Sequence, residues 1–441
     1  MKQNKYAFLI AAPHSNSGKT LLTLGIIKVL CRKGFRVQPF KCGPDYIDPM
    51  HHKKVAGVSS YNLDLWMAST DHVTKLFNQK MKLAEVGVIE GVMGLFDGAN
   101  KDKGSSADVA RLLHLPVILV VDASSTAYSI APLLYGFKNF DPTINLAGVI
   151  FNKTGSERHL QFLKEAADDV GVPVFGHLPR DKRLMIESRH LGLHLPGENK
   201  NADLVNIVAD LIETNLDLPQ LREACRVEVS EPKNEVAAKK PAQKITTAMA
   251  FDEAFNFSYQ ANIDALKELG EVRFFSPLHD SEIPEADWIW FPGGYPELFA
   301  GELTDNHSIR NEIKAKIEAG TPVLAECGGM MYLGKEIISK DGQHFEMVGA
   351  FDFSTSFENM KLHLGYRTIK LDELTLKGHE FHFSSLENDH STIQYKVFAA
   401  NGKPVNMPVF QYKNCMASYM HNYFGEAESL LQLFNFLKRK P

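Results

Sequence analysis

Cysteine is scarce in this sequence of 441 residues, with five at Cys31, Cys42, Cys225, Cys327 and Cys415. Their spacing forms neither a disulfide framework nor a zinc-ligand pattern. So sparse and odd a set suits a reducing cytoplasm, which is the expected location. No uninterrupted apolar stretch reaches the roughly 18 residues of a membrane span, so no membrane partner is expected. Lysine and arginine form no block and the net charge is −5, which removes the electrostatic footprint of a nucleic-acid binder. Internal repeats and low-complexity tracts are also missing. What remains is an ordinary globular balance, 44% hydrophobic and 23% charged, at a length that suits two or three domains.

Lys2 and Lys5 precede an apolar run over 6–13, a pattern that a signal peptide can share. The run is short and leads directly into a glycine-lysine-threonine turn, so it is read as a first buried strand. Further apolar runs follow at 86–89, 117–121, 147–151 and 172–175, with helical patterns such as 20–32 and 107–114 between them. Short apolar runs separated by amphipathic segments indicate a parallel sheet covered on both faces. The pattern breaks over 226–244, which is rich in charge, alanine and proline and reads as a tether. A second α/β alternation begins at 245. Its expected strands are 247–251, 272–275, 288–291 and 323–325, and its expected helices are 257–269, 309–319 and a closing amphipathic helix over 429–438.

The segment from Ala12 to Thr20 reads APHSNSGKT between the first strand and the first helix. Backbone N–H groups around Ser17 and Gly18 and the helix dipole would hold phosphate there. Lys19 would reach the terminal phosphates of ATP, and Thr20 would offer its hydroxyl to Mg2+. The strict phosphate-loop spacing would place its first glycine where Pro13 stands. Acids follow at the ends of later segments: Asp45 and Asp48 in KCGPDYIDP, read as a loop because of its prolines, then Glu90 closing VGVIE. Carboxylates outside the C-terminal ends of parallel strands can hold magnesium through oxygen. Asn152, after the strand ending at Phe151, is placed either to meet the adenine base or to cap a turn.

The second half carries VLAECGG at 323–329: a buried strand, then Cys327, then two glycines opening a helix. That is the form of a nucleophile elbow. A thiol at a helix start is expected to have a lowered pKa. The base must come from elsewhere, and His421 in SYMHNYFG, after an apparent strand over 416–420, is the best candidate among the 17 histidines. FPGGYP at 291–296 also follows an apolar strand, so the N–H of Gly294 could join that of Gly328 in an oxyanion hole.

Taken together, these motifs resemble the cobyrinate and cobyric acid synthase family, in which a dethiobiotin-synthetase-like ATPase domain precedes a class I glutamine amidotransferase domain. KCGPDYIDPMHH at 41–52, EGVMGLFDG at 90–98, LGYR at 364–367 and EFHFS at 380–384 carry the resemblance to its diamide synthase branch. The resemblance implies two doubly wound α/β domains: a P-loop-type parallel sheet over 1–225 and a flavodoxin-like amidotransferase sheet over 245–441, joined by 226–244. It implies a carbon–nitrogen ligase that uses ATP and L-glutamine as co-substrates and Mg2+ as cofactor. A macrocycle carboxylate is phosphorylated, then amidated by ammonia that reaches it along a dry path. The implied partner is a small-molecule tetrapyrrole, cobyrinate, with its a and c carboxylates as targets. Hydrogenobyrinate and nickel sirohydrochlorin are alternatives with the same chemistry, and a regulatory ATPase with a retired glutaminase module is a remote one. A homodimer is the candidate assembly. By the same association, Tyr46 and Asp97 belong to the substrate site, with His51, His52 and Arg367 as further candidates. Class I triads carry a glutamate two residues after the histidine. Here that residue is Tyr423, so a Cys327–His421 dyad is implied, with nothing in the sequence to orient the imidazole.

Overall fold

The computed structural model describes residues 5–184, 200–228, 244–387 and 395–439. The chain divides into two compact units, Met1–Glu235 and Val236–Pro441. Among the described residues, no helix is long and apolar enough to cross a membrane.

The first unit is built on β1 (Lys5–Ala11), β2 (Val37–Cys42), β3 (Tyr61–Leu63), β4 (Val86–Glu90), β5 (Val117–Asp122), β6 (Leu146–Thr154) and β7 (Val174–Pro179). These pair in parallel in the order β3-β2-β4-β1-β5-β6-β7. β1 is buried from Ala7 to Ala11 and β4 throughout, which is why both read as continuous apolar runs. Between strands run helices α1 (Lys19–Arg32) and α2 (Ile47–Ala56). Phe8 and Ile10 of β1 pack with Ile26, Ile27 and Leu30 of α1 in one buried cluster. The strand order reverses beside β1, so the loops after β1, β2 and β4 gather at one edge, the place where open α/β sheets bind ligands.

β2 escaped the sequence reading. All of VQPFKC is buried, yet Gln38 and Lys41 interrupt the apolar run and Pro39 marks it as a poor strand. The expected loop after it is also different. Asp48 and Pro49 lie in the first turn of α2, where proline needs no backbone N–H and its fixed φ fits a helix. The run expected at 172–175 begins two residues later, as β7. The tether expected over 226–244 starts late as well. Arg226 and Val227 form β8, antiparallel to the start of β1 at Tyr6 and Lys5. The Ala7 N–H also donates to the Cys225 carbonyl oxygen. Residues 229–243 of that stretch lie outside the described residues.

In the second unit, β9 (Thr247–Ala250), β10 (Val272–Phe275), β11 (Trp288–Phe291) and β12 (Val323–Glu326) form a parallel array in the order β10-β9-β11-β12. It is continued by the parallel strand Cys415–Ser418, and the antiparallel strand Val409–Tyr412 makes the sheet mixed. Two further sheets built mainly of antiparallel pairs carry much of residues 336–422; alternating strands with exposed faces give a weaker signal than buried parallel ones. The strand expected over 416–420 is really two. Cys415–Ser418 belongs to the main sheet, whereas Met420–Asn422 crosses to pair with Gly378–Glu380. His421 therefore lies within a strand, at the seam between two sheets.

Candidate active sites

The loop from Ala12 to Gly18 reaches α1 through two left-handed residues, Asn16 (φ 64°) and Gly18 (φ 95°). Gly18 caps the helix, and its carbonyl accepts the Leu22 N–H. A Cβ on Gly18 would lie 2.2 Å from Asn152 Nδ2, and that amide donates to the Ser17 carbonyl oxygen at 2.9 Å. The Asn152 side chain is thus committed to shaping the loop, and its Oδ1 accepts the Lys153 N–H. The segment after β4 packs on the same loop: Leu95 N–H donates to the Ala12 carbonyl and Gly91 N–H to the Ile10 carbonyl. Lys19 donates to the Met93 carbonyl oxygen at 2.5 Å. Burial and the nearby Lys41 charge bring the Lys19 ammonium down to about 8. Asp97, exposed, uses Oδ2 to accept the Gly94 N–H at 2.9 Å, which fixes the turn over the phosphate loop.

Beside this loop, three carboxylates converge on one ammonium group, and the Thr20 hydroxyl joins two of them. Lys41 Nζ lies 2.5 Å from Asp48 Oδ2, 3.0 Å from Glu90 Oε1 and 3.8 Å from Asp45 Oδ2. Thr20 Oγ1 donates to Glu90 Oε1 at 2.5 Å and lies 3.5 Å from Asp48 Oδ2. His52 Nε2 meets the other Glu90 oxygen at 2.7 Å, and Ser60 holds its Nδ1. Lys41 is 4% exposed and Glu90 fully buried. Burial alone would lower the Lys41 ammonium; Asp48, Glu90 and Asp45 reverse this and hold it well above its usual value. Burial likewise would raise Glu90, but Lys41, His52 and Thr20 keep it well below the usual carboxylate range. Burial and the Asp48 charge push Asp45 upward. Thr20, Asp45, Asp48 and Glu90 form an all-oxygen set in which Lys41 offsets one of the carboxylate charges, and oxygen donors of this kind fit the chemistry of Mg2+. Tyr46 caps α2 and is buried next to this set, as is His51. Neither Lys41 nor the role of His52 was recognised in sequence, since β2 itself was missed.

In the second unit, Cys327 stands between β12 and the short helix Gly328–Leu333 with φ 45° and ψ −105°. A non-glycine residue held there stores strain of about 1–3 kcal/mol, the signature of an elbow. The glycines around it allow contacts that a side chain would block. A Cβ on Gly328 would lie 2.9 Å from Gly294 N and 2.8 Å from Pro296 Cδ, and one on Gly293 would lie 2.2 Å from His421 Cε1. Gly294 and Gly328 therefore meet beside the cysteine, as an oxyanion hole requires. Cys327 N–H donates to the Ser418 carbonyl, and its Sγ faces the Phe381 carbonyl oxygen at 3.8 Å.

The expected lowering of the thiol pKa is not what the site produces. Burial, then the charges of Glu297, Glu380 and Glu326, push the Cys327 thiol far up. The helix behind it has a single turn and a half, too short a dipole to oppose full burial. His421 is held well below its usual value by burial and by His379 and His382, so it is neutral.

The groups that orient His421 were invisible in sequence. His379 pairs with it across the strands and stacks on its ring at 4.9 Å, and the His379 Nδ1 shares a 2.8 Å hydrogen bond with the Tyr259 hydroxyl. Glu326, the residue before the cysteine, accepts both the backbone and the side-chain N–H of Asn422, the residue after His421. Tyr423, at the usual place of the third acid, packs against Tyr259 instead. Arg367 donates to Glu380 Oε2 at 2.6 Å, and His382 meets Glu380 Oε1 at 2.9 Å.

Comparison with known proteins supports both halves. Residues 8–193 match the CobQ/CobB/MinD/ParA nucleotide binding domain, and residues 246–429 match the CobB/CobQ-like glutamine amidotransferase domain. The chain is 41% identical to a cobyrinate a,c-diamide synthase of Caldanaerobacter subterraneus subsp. tengcongensis, with 94% of each chain covered. A relative of the same description from Picrophilus torridus is 38% identical, with 95% of each covered. It is also 41% identical to a hydrogenobyrinate a,c-diamide synthase of Brucella anthropi, covering 95% of this chain and 99% of the relative. With near full-length identity of this order, the chain belongs to the cobyrinate and cobyric acid synthase family, and it is a glutamine-dependent carbon–nitrogen ligase that uses ATP.

Proposed function

We propose that the chain amidates the a and c side-chain carboxylates of a corrin-type macrocycle, either cobyrinate or its metal-free counterpart hydrogenobyrinate. The observation that carries this reading is the near full-length likeness to synthases of both names at the same 41% identity. Equal likeness keeps both macrocycles in play, because specificity resides in pocket shape rather than in fold.

In the first unit, the Ser17–Gly18 backbone and Lys19 take the terminal phosphates of ATP, and Asn152 keeps the loop in the shape to do so. Thr20, Asp45, Asp48 and Glu90 would hold Mg2+, which supplies neutralisation of charge on the transferring phosphoryl group. A macrocycle carboxylate oxygen attacks the γ-phosphorus and ADP leaves, giving an acyl phosphate. Ammonia then adds to the acyl carbon and phosphate departs, leaving the amide. Tyr46 and Asp97 border the place where the macrocycle carboxylate must come.

In the second unit, the Cys327 sulfur attacks the side-chain amide carbon of glutamine. His421 removes the thiol proton as the bond forms, since a thiol held up by burial does not ionise beforehand. The N–H groups of Gly294 and Gly328 take the charge that develops on oxygen. His421 returns that proton to the amide nitrogen as the C–N bond breaks and ammonia leaves, then takes a proton from water, whose oxygen attacks the thioester and releases glutamate and the thiol.

The test is product analysis by mass spectrometry after incubation with Mg-ATP, glutamine and each macrocycle in turn. Stepwise acid-to-amide mass changes that need ATP are expected on one of them. Absence of change on both, with ATP still hydrolysed, would count against the reading.

A further inference from the structure

Three carboxylates act on the Cys327 thiol: Glu297, Glu380 and Glu326. Two of them are accounted for. Glu380 has Arg367 on one oxygen and His382 on the other. Glu326 receives both N–H groups of Asn422. Glu297 differs: its Oε2 is fully buried and, among the described residues, accepts no hydrogen bond. It sits on the turn Pro296–Phe299, directly behind Gly293 and Gly294. Pro296, the residue before it, packs where a Cβ on Gly328 would stand. A buried carboxylate oxygen without a partner is costly and demands an explanation. Among the described residues no lysine, arginine or histidine lowers the Glu297 carboxyl; burial pushes it up to about 7, opposed only by its own backbone N–H.

Glutamine bound with its amide carbon at Cys327 carries an α-ammonium group a few ångströms away. That group is the cation the site lacks. We infer that Glu297 receives the α-ammonium of glutamine and so selects an α-amino acid over a plain carboxamide. The inference rests on the proposed glutaminase role of Cys327 and adds a specificity-determining residue to it. It also explains the company the thiol keeps. With glutamine absent, the Glu297 charge opposes thiolate formation; with glutamine bound, the ammonium cancels that charge, and the thiol becomes easier to ionise only when its substrate is present.

The test compares glutamine with glutaramate, which has the same carboxamide and carboxylate and lacks the α-amino group. Glutamate or glutarate release is measured with all co-substrates present. The unmodified protein should prefer glutamine in kcat/KM, and Glu297→Gln should shrink that preference by about 10- to 100-fold, the usual range for losing a charge-assisted hydrogen bond. A preference ratio unchanged in the variant overturns the inference, whatever happens to either rate alone. So does an unmodified protein that takes both compounds equally. Should Glu297→Gln fail to fold, Glu297→Asp keeps the charge at shorter reach and must still reduce the ratio. Failure of the glutaminase reading is distinct: folded, unmodified protein would then release no glutamate from glutamine at all.

Discussion

Glu90 and Glu326 occupy matching places in the two units. Each is the last residue of a buried parallel strand, and each points its carboxyl at the edge where a site is built. Glu90 has Lys41, His52 and Thr20 around it and is held firmly ionised. Glu326 has neutral donors beside it, the N–H groups of Asn422 and the Trp290 indole, and burial pushes it up to about 7. Desolvation is the same in kind; the difference is a cation. The first unit keeps Glu90 charged beside the buried Lys41 ammonium. The second keeps acid, thiol and imidazole close to neutral, which suits chemistry that must liberate ammonia rather than ammonium. The contrast shows that strand-end position alone does not fix what a buried acid does; the neighbouring strand does, here through Lys41 on β2.

The most severe way to separate the two sites is Cys327→Ser. Glutamine-supported amidation should fall by about 10³-fold or more, while amidation from added ammonium salts persists, because only one site is broken. Product formation from the two nitrogen sources checks this, and loss of both would show that the units do not divide the labour. Lys19→Ala should cost about 10²- to 10³-fold from either source, as removal of one positioned charge-stabilising donor does. Retained ATP-dependent amidation would remove Lys19 from the phosphate site.

Lys41→Met asks whether the cation is what keeps the first site charged. Breaking a buried pair on one side costs about 3–5 kcal/mol. Denaturant unfolding should show a loss of that order, and added Mg2+ should recover part of it. No loss would mean that the carboxylates do not need Lys41.

The smallest effect, and the sharpest contrast, is in pH dependence. Glu90 has a depressed pKa, so its stabilisation is present above its unfolded value and fades as pH falls below about 4.3. Glu326 is raised, so the sign reverses: the folded state binds the proton more tightly, and stability declines as pH rises from about 4.3 toward 7. Glu326→Gln keeps an oxygen for Asn422 and removes the titration. Its stability should be flatter over that window and about 1–2 kcal/mol above the parent at pH 8. An unchanged slope would assign the decline to other groups.

Much of this was legible from residues alone. Buried parallel strands such as 86–90 and 117–122 announce themselves because both faces are apolar, and Gly18-Lys19-Thr20 and Cys327-Gly328-Gly329 mark turns that only glycine neighbours permit. What stayed hidden has two physical causes. β2 is a core strand that buries Lys41 against the carboxylates of the site and Gln38 against the Pro39 and Ser59 carbonyls, and these polar residues break its apolar signature. His379 and Asn422 are brought to the second site by antiparallel pairing, and Tyr259 reaches it from the start of a helix, so no local spacing encodes that meeting. The raised thiol had much the same origin: a helix start suggests a lower pKa, but full burial and the charges of Glu297 and Glu380, brought in by the fold, outweigh it, with the adjacent Glu326 adding to them.

The short return strand β8 has a consequence for how the chain is made. Residues Lys5 and Tyr6 leave the ribosome early, whereas their antiparallel partners Val227 and Arg226 come much later. At about 5–20 residues per second, the roughly 220 residues between them take on the order of 10–40 s to synthesise. The first strand of the nascent chain therefore waits with part of its backbone unpaired until the whole unit has been translated. An isolated N-terminal unit cut at residue 225 would make that wait permanent, and one carried past Val227 would end it.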